Sequence, residues 1–158
     1  MTDPDQSSNG ARFNKMDVIA TPEHAASIRH EFSTWLAARF ALDRVKASDI
    51  VLAVNEALAN AVEAAYADAP EPGVMHVRAD FDHASTLLTV TVTDEGTWRP
   101  VATQHANSAH GRGIPLMQAL TDRASIEPTD AGTIVRLQWD DITAAAATDA
   151  HDCGSRTT

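Results

Sequence analysis

Cysteine is nearly absent: the one residue, Cys153, stands close to the C-terminus, so no disulfide can form within the chain. Aromatic side chains make up 5% of the sequence against 44% apolar residues overall, so a core is expected to consist mostly of Ala, Val, Leu and Ile. Basic residues are scarce, with 12 Lys and Arg against 22 Asp and Glu and a formal net charge of −10. A surface of that sign repels nucleic acid and anionic membrane, so direct binding to either is not expected. An anionic ligand would need positive charge concentrated locally, and Arg112 is the residue to note. No apolar run approaches the roughly 20 residues that a membrane-crossing helix needs. The start, MTDPDQSSNG, carries Asp3 and Asp5 and no apolar stretch, which does not read as a signal peptide. A reducing cytoplasm is the expected location. Neither G-x-S-x-G nor G-x-x-x-x-G-K-[ST] occurs, which excludes a hydrolase nucleophile elbow and a P-loop. The seven histidines are scattered, and none has the Cys/His/acidic spacing of a zinc site.

What is present fits one domain in 158 residues. Residues 1–12 are polar and expected to be disordered, residues 13–142 to fold, and residues 143–158 to form a disordered tail. No internal repeat or interdomain linker is visible. FNKMDVIA suits an edge strand. TPEHAASIRHEFSTWLAARF reads as a first helix, with Thr21 as N-cap, Pro22 at the first helical position and Glu23 complementing the dipole. A second helix is expected from about Ser48 or Asp49 to just before DAPEPG. Its apolar face comprises Ile50, Val54, Ala57, Leu58, Ala61, Val62 and Ala65. VMHVRADF and LLTVTVTDEG alternate as strands about the turn DHAS. TWRPVATQHANSAH is a loop, GRGIPLMQALTD opens a short helix behind two glycines, and RASIEP and TIVRLQW are two last strands. The order β-α-α-β-β-loop-α-β-β predicts a two-layer α/β sandwich, with a mixed, mostly antiparallel sheet and helices on one face.

Four features could carry chemistry. Glu56 and Asn60 stand one helical turn apart, off the apolar face, with Glu63 a turn further. An amide oxygen and a carboxylate so placed can serve a Mg²⁺ ion and a general base, since Mg²⁺ keeps waters and needs few protein ligands when phosphates supply the rest. On the helix alone, a solvated polar face is the simpler explanation. Asp94 falls by period two on the Leu88, Val90 and Val92 face, the one expected to be buried, where a carboxylate needs a partner. It could accept a hydrogen bond from an exocyclic amine, and Gly96 would let a flat ring approach; a plain turn after a strand explains both equally well. Gly111, Arg112 and Gly113 precede a helix and could face an anion, although Pro115 removes one N–H there. Thr133 shares the inner face with Val135 and Leu137, where its hydroxyl could donate to a ring nitrogen, though a strand threonine needs no function.

Taken together, in order and spacing, NEALANA, DEG, GRG and GT resemble the Bergerat-type (GHKL) ATP-binding fold. That superfamily includes gyrase, heat-shock chaperones, mismatch-repair proteins and histidine kinases. TPEHAASIRHEF, DIVLAVNEALANAVEAAY, DEGTWRP and GRGIPLMQALTD resemble its small bacterial branch, the anti-sigma factor serine kinases of the RsbW and sporulation type, over about residues 14 to 140. The resemblance implies that residues 13–142 form a histidine-kinase-like ATP-binding domain. It implies Glu56 as general base, Asn60 as Mg²⁺ ligand, Asp94 as reader of the adenine amino group with Gly96 beside the ring, and Gly111, Arg112 and Gly113 beside the phosphates. Thr133 would lie near the adenine, and Val101 to His110 would form a lid. The sequence departs from the pattern at Ala64, where many members carry a histidine that is not a core ATP ligand.

The leading expectation is therefore a serine/threonine protein kinase that uses ATP and Mg²⁺, phosphorylates an anti-anti-sigma (STAS-type) protein and sequesters a sigma factor, with homodimerisation implied by the same resemblance. A non-catalytic ATP-binding regulator acting by protein contact is the alternative that Ala64 motivates. A third is the ATPase half of a split histidine kinase, which would need a separate histidine-bearing partner.

Overall fold

The computed structural model describes residues 12–66 (of 64–66 the backbone only), 73–95, 115–130 and 132–145. Seven elements have defined bounds: β1 (Arg12–Ile19), α1 (Pro22–Arg39), α2 (Arg44–Tyr66), β2 (Val74–Asp82), β3 (Leu87–Asp94), β4 (Arg123–Thr129) and β5 (Gly132–Trp139). Residues 115–120 are also helical. The five strands form one sheet in the order β1-β2-β3-β5-β4, and all four pairings are antiparallel. The sheet expected to be mostly antiparallel is thus wholly so among the described residues.

α1 begins where its sequence says it should. Thr21 is extended (φ −122°, ψ 159°), and its hydroxyl accepts the His24 N–H at 3.1 Å, with Pro22 just inside the helix. α2 begins earlier than Ser48. Asp43 Oδ1 accepts the Lys46 N–H at 2.7 Å, which caps a first turn ahead of the apolar periodicity. That turn buries no large side chain (Val45 is 70% exposed), so the apolar pattern could not reveal it.

Both helices lie on one face of the sheet. α1 packs on α2 and β1, while α2 packs on β2, β3 and β5. Ile50, Val54 and Leu58 are fully buried, as are the alanines Ala53 and Ala57, so small side chains bring the α2 backbone close to the strands. The strands answer with Met75, Val77 and Ala79, with Leu88, Val90 and Val92, and with Val135, Leu137 and Trp139. The few aromatics are gathered rather than spread. Phe13, Phe32, Trp35, Phe40 and Phe81 form a chain of ring contacts 5.0–5.7 Å apart at one end of the core. The segment after β5 runs back to α1: Ala41 N–H donates to Thr143 O (2.8 Å) and Ala145 N–H to Arg39 O (2.8 Å).

Candidate functional site

Antiparallel register decides which inward-facing polar side chains meet. β3 pairs with β5 so that Asp94 stands opposite Thr133, and β2 pairs with β3 so that Met75 stands on Asp94's other side. Both are inward-facing, as alternation predicts, and they are the buried polar side chains of the described core: Asp94 is 3% exposed and Thr133 1%. Among the described residues the Thr133 hydroxyl has no hydrogen-bond partner. An unpaired buried hydroxyl costs about 1–3 kcal/mol, so its presence at the end of an otherwise apolar strand face calls for a partner from outside the described chain.

Gly132 explains how close the two strands come. Its φ is +151°, and a Cβ there would lie 1.8 Å from the Asp94 backbone oxygen and 2.7 Å from the Asp94 carbonyl carbon. Only glycine permits that approach. Gly132 is also held from the turn, since its N–H donates to Thr129 Oγ1 (3.1 Å) and Thr129 Oγ1–H donates to Gly132 O (2.9 Å). The ladder continues one residue past β3, with Glu95 N–H donating to Val74 O at 3.0 Å.

Glu56 and Asn60 lie one turn apart on α2, the helix packed on β3. Both are half-buried, whereas Glu63, the third member of their stripe, is exposed. Next to them, Asn55 Oδ1 accepts from Arg29 Nη1 of α1 at 3.3 Å. Gly96, Gly111, Arg112 and Gly113, and the lid expected at 101–110, lie outside the described residues. The side chain of Ala64 does too.

One cluster beside the site carries no sequence signal. His76 Nδ1 accepts the Asp17 N–H at 2.9 Å, and His76 Nε2 meets Glu95 Oε2 at 2.7 Å, directly after Asp94. Histidine on the outer face of a strand reads as a solvated residue; only the register and a bulge in β1 bring its partners to it.

An acceptor and a donor side by side on a buried strand end fit the edge of a flat heterocycle bearing an amine. A carboxylate takes the amine hydrogen and a hydroxyl serves a ring nitrogen. Comparison with known proteins gives the family. Residues 18–139 match the family model described as the histidine kinase-like ATPase domain. The chain is 28% identical over 144 residues to the serine-protein kinase RsbW of Bacillus subtilis, covering 83% of this chain and 88% of that protein. It resembles the crystal structure of the RsbU and RsbW domains of Rv1364c from Mycobacterium tuberculosis with a TM-score of 0.62 and 26% identity, over 83% of this chain and 32% of that longer one. Among the described residues no helix is long and apolar enough to cross a membrane. The chain belongs to the histidine kinase-like ATPase domain family.

Proposed function

We propose that the chain is a cytoplasmic ATP-dependent serine/threonine protein kinase that also acts as an anti-sigma factor. Its substrate would be a serine on an anti-anti-sigma (STAS-type) protein, its sequestered partner a sigma factor, and its working form a homodimer. The observation that carries the ATP reading is the buried Asp94–Thr133 pair with its unpartnered hydroxyl, brought together by the close strand approach that Gly132 permits. The similarity to a serine-protein kinase supports the direction of the transfer.

In this reading Asp94 accepts the adenine amine hydrogen and Thr133 donates to the ring. Asn60 contributes an oxygen ligand to Mg²⁺, whose chemistry when bound is to neutralise phosphate charge. Glu56, one turn away, takes the proton of the acceptor hydroxyl. Gly111, Arg112 and Gly113 serve the phosphates, and Gly96 leaves room for the ring. Phosphoryl transfer needs positioning and charge stabilisation more than covalent help, which so small a set of groups can supply. Glu56→Ala is expected to lower phosphotransfer to the partner at least about 100-fold, the order expected of a general base, while nucleotide affinity changes little. Equal transfer by Glu56→Ala would remove Glu56 from the reaction.

Ala64 favours a second reading, a regulator that binds ATP without turnover and acts by protein contact. Nucleotide affinity lost in Asn60→Ala, with no phosphate appearing on any anti-anti-sigma partner, would establish it; phosphotransfer by the wild type would eliminate it.

A further inference from the structure

Residue 95 is the last described residue before the segment that carries Gly96 and the expected lid, and a side chain from another strand holds it. His76, in β2 between β1 and β3, is only 12% exposed although it lies on the sheet face away from the helices. On one side the Asp17 amide N–H points at Nδ1 from 2.9 Å. On the other, Glu95 Oε2 lies 2.7 Å from Nε2.

The amide decides the tautomer. An N–H can only donate, so Nδ1 must be the bare nitrogen and the hydrogen sits on Nε2, where it donates to Glu95. The amide is aimed by the β1 bulge. The register shifts between Lys15 and Val18, and Asp17 takes φ +53°, which turns its N–H toward His76. A relay thus runs from the bulge through the imidazole to the residue that follows Asp94.

We propose that His76 is a positioning residue of the nucleotide site: as its Nε2–H tautomer it holds Glu95, and so the chain between Asp94 and Gly96, in the arrangement that admits the ligand. The proposal rests on the ATP reading of that site. The Asp17 carboxylate also lies near the ring, with Oδ1 3.9 Å from Nδ1. The charged groups facing the ring among the described residues are therefore Asp17 from β1 and Glu95 from the end of β3. Arg78 lies on the same face of β2 and is paired with Asp80, while Thr93 and Ile134 next along the row carry no charge and Glu127 stands beyond them, three strands from the ring.

Nitrogen NMR of the His76 side chain, amide exchange at Asp17 and Glu95, and calorimetric titration with ATP test this together. The expected results at neutral pH are an Nε2–H tautomer and a protected Asp17 amide. His76→Val is expected to speed Glu95 amide exchange and weaken ATP binding about two- to fivefold, a range set by a half-exposed partner. His76→Gln, whose carbonyl and amide can replace both nitrogens, is expected to restore both, a rescue that a merely structural role does not predict. Asp17→Gly keeps the amide, suits the positive φ and should keep the tautomer. An Nδ1–H tautomer, or unchanged ATP affinity in His76→Val, would overturn the proposal. Absence of ATP binding by the wild type would instead overturn the ATP reading, and the tautomer and Glu95 exchange would then decide the clamp alone.

Discussion

Thr133→Val separates a hydroxyl kept for a ligand from one kept for the fold. The Thr133 side chain is 1% exposed, its Oγ1 has no hydrogen-bond partner among the described residues, and it stands in a strand whose next inward residues are Val135 and Leu137. Valine keeps the β-branched shape that the strand favours and replaces the hydroxyl by a methyl. The free protein then no longer carries the desolvation cost of an unpaired hydroxyl, about 1–3 kcal/mol, and a gain of about 1 kcal/mol in stability is expected. For a domain of this size that raises Tm by roughly 3–6 °C. Nucleotide binding should move the opposite way. Loss of one hydrogen bond to the ligand is expected to weaken affinity about five- to tenfold. Thr133→Ser keeps the hydroxyl and loses a methyl, so it should lower stability by about 1 kcal/mol and largely keep affinity. Thermal unfolding without ligand and calorimetric titration with ATP read the two effects. A Thr133→Val protein that is less stable than wild type and binds ATP equally well would refute the reasoning, because the hydroxyl would then belong to the fold.

Gly132→Ala places a methyl 1.8 Å from the Asp94 carbonyl oxygen at a φ of +151°, and neither neighbour is a flexible side chain. It is expected to cost about 2–4 kcal/mol by denaturant unfolding and to weaken ATP binding by parting Asp94 from Thr133; a near-neutral effect would contradict the close approach. At the other end of β5, Arg123 donates to both carboxylate oxygens of Asp140 (2.8 and 3.1 Å), and this pair holds the Asp140 carboxyl below its ordinary value and the Arg123 guanidinium above its own. A depressed carboxyl contributes stability above its unfolded value, about 4, and loses it as pH falls through the lower folded value. Carboxyl NMR should therefore show Asp140 titrating below the usual range, with Arg123→Ala returning it upward; no movement would show that the pair does not form in solution.

Alternation and helical spacing made the layers legible, because β2, β3 and β5 each turn one face into the core along most of their length. Leu88, Val90 and Val92 carry Asp94 inward with them, as Val135, Leu137 and Trp139 carry Thr133. Period two yields the face but not the partner, so the meeting of Asp94 with Thr133 depended on a register that no local pattern encodes. Gly132 was noticeable as a glycine but not as a point of contact, since the atom it accommodates belongs to a residue 38 positions earlier in the chain. The start of α2 was misplaced because Arg44 to Ala47 add a capped turn with nothing large to bury. His76 left no trace at all, because its partners arrive through a bulge in one strand and the end of another.

The central claim is that the buried end of β3 and β5 is a nucleotide site, and calorimetric titration of ATP into the wild type and into Asp94→Ala tests it most directly. With circular dichroism confirming that both are folded, the wild type is expected to bind, and Asp94→Ala to lose at least about tenfold in affinity, the order set by a hydrogen bond to a charged group. A wild type that binds no ATP, or an Asp94→Ala protein that binds as tightly as wild type, would contradict it.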